Sequence, residues 1–315
     1  MVNISESGLV VTVISPVYNG AKMLPQLVRE TLHYATQINP LVELILIDDH
    51  SPDNSWAVIE ALCKQYPGKV RGIRLAQNVG QHTAILTGLT QARGLWVALI
   101  DCDLQDNPAY LPLLHQTAQN TASDWVWVSR QHRTVNKYRK LGGQIFYFLF
   151  AALTRTNQNP NLANFGWYSQ KVIKDLIQQT TELPPGAKFN FRAALSLLQG
   201  YKSHILDLEQ TPRMAGKTNY SVWGLWQLAW QMFAAYAGKA LKVCLVICFI
   251  LCFMALFVAV LMAVSSASIT ASWRIAILFF SVLSVFFLVL LRSLNKINKR
   301  DNFVHNRFEI ATVCG

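Results

Sequence analysis

Charged residues are scarce in this sequence, and acidic residues are scarcer than basic ones. Only 14% of the 315 residues are charged, whereas 52% are hydrophobic. The 17 acidic side chains stand against 28 lysines and arginines, which gives a net charge of +11. Neither zinc-finger spacing nor an aromatic RNA-binding motif accompanies this charge, so nucleic acid is the least favoured partner. Anionic lipid and anionic substrate remain as partners for a basic protein.

Cysteines in close pairs are also missing. None of the six cysteines forms a C-x-x-C pair, so we expect no disulfide framework and a reducing compartment for the globular part. Cys244, Cys248 and Cys252 share one helical face of an apolar run, where small packing residues are the simplest interpretation. The first ten residues lack a basic segment followed by a long apolar one, so we expect no signal peptide.

Short apolar runs alternate with helical patterns over the first 100 residues. Strands are predicted at 10–15, 41–47, 70–75 and 95–100, with helices at 24–35, at 56–66 and from the turn 78–81 to about 93. This alternation predicts a doubly wound, mostly parallel α/β sheet with right-handed crossovers. The carboxyl ends of such strands meet at one edge, where ligands bind. Residues expected at this edge are Asn19, Asp49, Asp101 and Asp103.

The stretch 97–106, VALIDCDLQD, is the most informative. Its apolar run ends at Asp101, and alternation along an extended chain directs Asp101 and Asp103 to the same side. With Gln105 they offer hard oxygen ligands, which suit Mg²⁺ or Mn²⁺ held together with substrate phosphates. A solvated acidic turn is the alternative for an isolated D-x-D pair. The convergence of three strand ends favours the metal site.

Four motifs, SPVYNG, IDDHSPDNS, NVGQHTA and LIDCDLQDNP, resemble in order and spacing the nucleotide-binding half of the family-2 glycosyltransferases, which have the GT-A fold. Within that family the chain is similar to polyprenyl-phosphate enzymes such as dolichyl-phosphate mannose synthase and the bacterial undecaprenyl-phosphate glucosyltransferases. The resemblance covers about residues 9–240, and the membrane layout extends it to about 300. It implies transfer of one sugar from a nucleotide sugar, with UDP as a guess, to a polyprenyl phosphate.

The same resemblance implies roles for individual residues. The nucleotide sugar would be bound by Pro16, Tyr18, Asn19, Ile47, Asp49, Asn78 and Cys102, with Asp49 bonding the base. Asp101, Asp103 and Gln105 would hold the metal. Arg130 and Arg213 would contact phosphate, for which arginine is well suited, although a surface ion pair is the alternative for a single arginine. The acceptor phosphate would meet Arg139 and Lys217. Departures from the family pattern are Gly20, His50, the segment Asn164-Phe165-Gly166-Trp167 and Asn219.

The nature of the acceptor separates two subclasses of such enzymes. A sugar hydroxyl needs a general base, whereas a phosphate monoester has a second pKa of roughly 6 and is already ionised near neutral pH. No Glu-Asp pair or Q-x-x-R-W motif follows the metal site, as it does in processive relatives that use hydroxyl acceptors. Basic residues near the expected acceptor entrance are Arg133, Lys137, Arg139, Lys140, Arg213 and Lys217. Transfer to a hydroxyl of a lipid-linked or surface glycan, and a non-catalytic membrane scaffold, stay open as alternatives.

Long apolar runs occur only in the second half of the chain. Residues 243–264 carry no charge and are long enough to cross a hydrocarbon core of about 30 Å. Residues 275–291 are close to the shortest length that can cross it. Basic residues flank both runs, which predicts that both termini and the catalytic domain are cytoplasmic at the inner (plasma) membrane. Residues 138–153 and 222–238 predict interfacial helices, with a core helix as the alternative for the first.

The expected layout therefore has four parts. A cytosolic GT-A domain spans 1–221, an interfacial amphipathic helix spans 222–238, two transmembrane helices lie within 239–300, and a cytosolic tail spans 301–315. Polar loops at 155–164 and 180–188 are expected to flank the acceptor site. A homo-oligomer stays open, since two spans leave little to pack against within one chain.

Overall fold

Eight strands and seven α-helices make up the part of the chain that the structure describes. The computed structural model describes residues 10–130, 137–154, 156, 161–180, 183, 189–208, 232–233, 235–236, 243, 246–247, 254 and 309–315. The strands are β1 (Val11–Val17), β2 (Val42–Asp48), β3 (Val70–Leu75), β4 (Trp96–Leu99), β5 (Trp125–Arg130), β6 (Leu162–Ser169), β7 (Ser203–Leu208) and β8 (Ile310–Cys314). The helices are α1 (Leu24–Ile38), α2 (Ser55–Gln65), α3 (Gln81–Gln91), α4 (Leu111–Thr121), α5 (Lys137–Thr154), α6 (Gln170–Thr180) and α7 (Phe191–Leu197).

All eight strands form one mixed sheet in the order β7-β5-β6-β4-β1-β2-β3-β8. The four strands β4, β1, β2 and β3 are parallel, as the alternating pattern predicts. The second half differs, because β6 runs antiparallel between β4 and β5. The prediction of a loop at 155–164 is wrong for Leu162, Ala163 and Asn164, which belong to β6. Asn164 and Gly166 interrupt the apolar run of this strand, which hides it in the sequence pattern.

Strand β1 is longer than the pattern predicts, because Pro16 and Val17 continue it. They pair with Ile47 and Asp48 of β2. Proline has no N–H to donate, which normally excludes it from a central strand. Pro16 is tolerated because the pairing of β1 with β4 already ends at Ile14 and Leu99. Pro16, the first of the candidate site residues, therefore belongs to strand β1 and not to the loop that follows this strand.

Two apolar clusters cover the two faces of the sheet. One contains the buried side chains of α1, α2 and α4, and the other contains those of α3, α6 and α7. Helix α3 lies very close to β1 and β2 because position 88 is glycine. A Cβ atom there would lie 2.5 Å from Cγ2 of Ile14 and 2.7 Å from Cδ1 of Ile47. This close approach positions the first turn of α3 at the carboxyl end of the sheet.

The last residues of the chain form strand β8, which the sequence pattern did not predict. It pairs antiparallel with β3, and Ala76 N–H donates to Glu309 O at 2.8 Å. Gly72 lies opposite Cys314 in this register. Because glycine has no side chain, there is room for the sulfur atoms of Cys63 and Cys314, which lie 2.7 Å apart.

Mild oxidation is expected to join Cys63 to Cys314. The sulfur atoms need only a small movement to reach a disulfide bond of about 2.0 Å. Burial, together with Cys314, raises the pKa of Cys63 to about 12, so exchange with oxidised glutathione should be faster at alkaline pH. Peptide mass spectrometry without reduction should detect the linked pair, and Cys63→Ser should remove it. Two free thiols after prolonged alkaline incubation would contradict this expectation.

Helix α5 coincides with the predicted interfacial helix at 138–153. Phe150 is fully buried, whereas Phe148 is 73% exposed and Leu149 is 46% exposed. The buried side packs against Phe233, whose ring centroid lies 5.7 Å from that of Phe150. Among the described residues, we find no helix with the length and apolar character needed to cross a membrane. The predicted spans within 239–300 and the helix at 222–238 lie largely outside the described residues.

Candidate active site

The loop that follows β1 is fastened to the loop that follows β2 by backbone-to-side-chain hydrogen bonds. The N–H groups of Asn19, Gly20 and Ala21 donate to Ser51 Oγ at 3.2 Å, Ser55 Oγ at 3.0 Å and Asp53 Oδ2 at 3.3 Å. Asn19 has a positive φ of 55°, which asparagine adopts more readily than most residues. The two predicted site loops are therefore held side by side, with Tyr18 49% exposed at the surface.

Asp49 connects the end of β2 to the loop that follows β3. Its Oδ1 accepts from Val79 N–H at 2.8 Å, and its Oδ2 accepts from Gly80 N–H at 2.9 Å. Burial raises the pKa of Asp49, although these two N–H groups favour its charged form. A carboxylate offers about four acceptor positions. Asp49 could therefore bond the nucleotide base, as the resemblance implies, while it also binds this loop. That contact stays a prediction.

Asp101 lies at the end of β4 between two donors. Gln81 Nε2 donates to Oδ1 at 2.7 Å, and Arg130 Nη2 lies 3.6 Å from Oδ2. Burial, followed by the nearby charge of Asp106, raises the pKa of Asp101 to about 7. Negative charge is thus costly at this position unless a cation accompanies it.

Arg130, the last residue of β5, forms an ion pair with Asp106. Its Nη2 lies 2.8 Å from Oδ2 and 3.0 Å from Oδ1 of this carboxylate. The Asp106 side chain is only 3% exposed. Burial alone would lower the pKa of Arg130, but the charges of Asp106 and Asp101 raise it above its usual value. Arg130 is therefore the counter-ion of two carboxylates, and the phosphate contact predicted for it remains a prediction.

Asp101, Asp103 and Gln105 carry side-chain oxygen atoms on one loop. Leu104 has a positive φ of 58°, and Gln105 N–H donates to Asp103 Oδ1 at 3.2 Å. In the described ranges, no group of three or more His, Cys, Asp or Glu side chains could hold a metal ion. Mg²⁺ and similar ions are commonly bound through one or two carboxylates, with water and substrate phosphates completing the shell. The residues present fit a divalent cation bound in this way.

The other predicted nucleotide-sugar residues occupy different environments. Asn78 is exposed, Cys102 is half-buried and Pro16 is buried. Ile47 is fully buried in the cluster beneath α3, so any contribution to the pocket would have to come from its backbone. Burial raises the pKa of Cys102 to about 12, which keeps it a thiol.

Gly20, a departure from the family pattern, is explained by its neighbours. A Cβ atom at this position would lie 3.1 Å from Cγ1 of Val17 and 3.3 Å from Sγ of Cys102. A side chain at position 20 would therefore require Val17 or Cys102 to move by a few tenths of an ångström.

The acceptor-side residues are the least described. Arg213, Lys217 and Asn219 lie outside the described residues, and Arg139 lies in α5 with an undescribed side chain. Conversely, the structure brings Gln81 and Asp106 into the site, and neither was predicted from the sequence. Asp106 could have been suspected as the third carboxylate of the stretch DCDLQD, whereas nothing in the sequence indicates the reach of Gln81 to Asp101.

Comparison with known proteins places these loops in a family. The family described as Glycosyl transferase family 2 matches residues 12–177, more than half of the chain. The chain belongs to this family. The match runs from the second residue of β1 to α6 and includes every loop of the described site. It confirms the prediction of a family-2 glycosyltransferase.

Several relatives of this family-2 chain have curated names. It is 29% identical over 238 residues to an undecaprenyl-phosphate 4-deoxy-4-formamido-L-arabinose transferase of Shewanella sediminis, covering 74% of this chain and 68% of that protein. It is 25% identical over 234 residues to the prophage bactoprenol glucosyl transferase homolog of Escherichia coli, covering 74% of each. Among solved structures, mannosyl-3-phosphoglycerate synthase from Rubrobacter xylanophilus matches with a TM-score of 0.48 and 16% identity, covering 74% of each chain.

Proposed function

We propose that this glycosyltransferase moves one sugar from a nucleotide sugar to a polyprenyl phosphate, such as undecaprenyl phosphate, in a single inverting displacement. The observation that carries the choice of acceptor is that both curated relatives described above have undecaprenyl phosphate or bactoprenol in their names. These alignments span about three quarters of the chain.

The donor end of the proposed reaction rests on the strand-end loops. Asp101, Asp103 and Gln105 would hold Mg²⁺ or Mn²⁺, which when bound would stabilise the negative charge of the leaving diphosphate. Arg130 adds a fixed positive charge 3.6 Å from Asp101, in a position where it need not reorganise during the reaction. The exposed Tyr18 and Asn19 form the rim against which the nucleotide would lie.

The acceptor end is argued from what each kind of nucleophile needs. A hydroxyl acceptor needs a general base. His82 is unsuited to that role, because Asn190 and Phe191 hold its ring and burial lowers its pKa to about 4. A phosphate acceptor needs no such base, because it is already largely ionised near neutral pH.

The decisive experiment uses membranes that contain the full chain, undecaprenyl phosphate, Mn²⁺ and a panel of radiolabelled nucleotide sugars. We expect label in the extracted lipid, released by mild acid as a phosphodiester-linked sugar would be, and absent with Asp103→Asn. Such a result would also name the donor. If no donor labels the lipid while the protein binds nucleotide sugar, a hydroxyl of a lipid-linked or surface glycan becomes the favoured acceptor.

We also propose that the catalytic domain stands on the cytoplasmic face of the inner membrane, with α5 at the lipid surface and two spans within 239–300. The exposed Phe148 and Leu149 of α5 support its placement at the lipid surface, since apolar and aromatic side chains favour the interface. The basic residues that flank the two apolar runs support the cytoplasmic side. Alkaline carbonate extraction tests the spans: the protein should stay with the membrane pellet, and its release into the supernatant would refute them.

A further inference from the structure

Gln81 is an exposed residue at the start of α3 that contacts the candidate metal loop. Its side-chain Nε2 donates to Oδ1 of Asp101 at 2.7 Å. The two residues are 20 positions apart and belong to the ends of different elements. An exposed glutamine normally gains little by ordering its long side chain, so a short contact to a half-buried carboxylate suggests a purpose beyond helix stability.

The backbone before Gln81 is anchored to the neighbouring strand. Asp49 binds the N–H groups of Val79 and Gly80 through its two carboxylate oxygens. Gly80 has a φ of +92°, a conformation that side-chain-bearing residues rarely adopt. The turn that leads into α3 is therefore fixed at the end of β2, one residue before Gln81.

The residue after Gln81, His82, is anchored through its side chain. Nε2 of His82 lies 3.1 Å from Nδ2 of Asn190, and the N–H of Phe191 donates to Nδ1 of His82 at 3.4 Å. Asn190 is itself fixed, because its Oδ1 accepts from Ala193 N–H at the start of α7. Gln81 thus stands between two anchored neighbours, and its direction towards Asp101 is set by the fold.

We propose that Gln81 is a positioning residue for the metal site, which holds the Asp101 carboxylate in the orientation that a divalent cation requires. This inference rests on the proposed function, since it assigns a role to Gln81 at that same cation site. The amide satisfies one lone pair of Oδ1 and leaves the remaining acceptor positions of the carboxylate for the cation. Being neutral, it orients the ligand without the repulsion that a lysine would exert on a cation.

The test compares Gln81→Met, which keeps the length of the side chain but removes its donor, with Gln116→Met on the exposed surface of α4. Mn²⁺ is titrated into the full-length protein in detergent with UDP present, and free Mn²⁺ is followed by electron paramagnetic resonance. We expect Mn²⁺ binding to weaken about 10- to 100-fold in Gln81→Met, the range for loss of a group that orients a metal ligand, and to be unchanged in Gln116→Met. Thermal unfolding of both variants should match that of the unaltered protein.

Kinetics provide a second readout that a purely structural role would not produce. In the lipid-labelling assay, the Mn²⁺ concentration for half-maximal rate should rise in Gln81→Met, while the rate at saturating Mn²⁺ and the KM for the sugar donor are retained. Equal Mn²⁺ affinity in Gln81→Met and the unaltered protein would overturn the role of Gln81 and leave the metal clamp intact. Failure of the unaltered protein to take up Mn²⁺ with UDP, and likewise with the nucleoside diphosphate of the donor that labels the lipid, would overturn both the clamp and this inference.

Discussion

Asp103→Asn is expected to lower the rate of sugar transfer by about 10³-fold at a fixed Mn²⁺ concentration. Asparagine keeps the size of the side chain and its hydrogen-bonding oxygen, so the loop should keep its shape. It removes one of the two negative charges that would hold the cation against the diphosphate. A bound metal is worth several kcal/mol of transition-state stabilisation, and about 4 kcal/mol corresponds to this factor. Initial rates of label transfer into lipid would measure the loss.

The matched control is Asp175→Asn, which makes the same chemical change on the exposed surface of α6. Asp175 accepts a hydrogen bond from Tyr201 there, away from the strand ends. This variant should transfer sugar at the rate of the unaltered protein. If Asp103→Asn kept the full rate of sugar transfer at every Mn²⁺ concentration, Asp103 would not be a metal ligand. A solvated acidic turn would then be the favoured interpretation of the D-x-D pair.

The parallel half of the sheet was predictable because its strands follow a strong local rule. Each buried strand is a continuous apolar run, and each ends in a polar cluster that reaches the same edge. The predicted bounds of β3 agree with the structure, and Asn19, Asp49 and Asp101 follow β1, β2 and β4 as expected. The end of β1 was mispredicted because proline in a central strand depends on where the neighbouring strand stops, which is a tertiary fact.

Strands β6 and β8 were not predictable because their determinants are non-local. Strand β6 contains Asn164 and Gly166 and runs antiparallel between two strands that are distant in sequence. Strand β8, at the end of the chain, has a weak sequence pattern, and only its pairing with β3 identifies it as a strand. The side-chain contacts of the site share this limitation. The reach of Gln81 to Asp101 depends on the close approach of α3 to the sheet, which Gly88 permits.

Asp106→Ala is expected to have the largest effect on stability. The carboxylate is 3% exposed and pairs with an Arg130 side chain that is 15% exposed. Removing one member of a buried ion pair leaves the other charge uncompensated, which costs about 3–5 kcal/mol. We expect about 3 kcal/mol here, since Asp101 remains 3.6 Å from the guanidinium. The thermal unfolding midpoint of the full-length protein should fall by about 10 °C.

A double variant separates the structural role of this pair from its role in catalysis. Asp106→Leu combined with Arg130→Met replaces both charges with apolar side chains, which should restore part of the lost stability because no unpaired guanidinium is left, although Asp101 loses the cation beside it. Sugar transfer should nevertheless stay impaired, since the fixed positive charge beside Asp101 would be missing. Recovery of both stability and transfer would mean that Arg130 serves only to neutralise Asp106, and the phosphate contact predicted for it would be wrong. Recovery of stability alone would leave the guanidinium with a function that packing cannot replace, at the position where negative charge from the diphosphate is expected to develop.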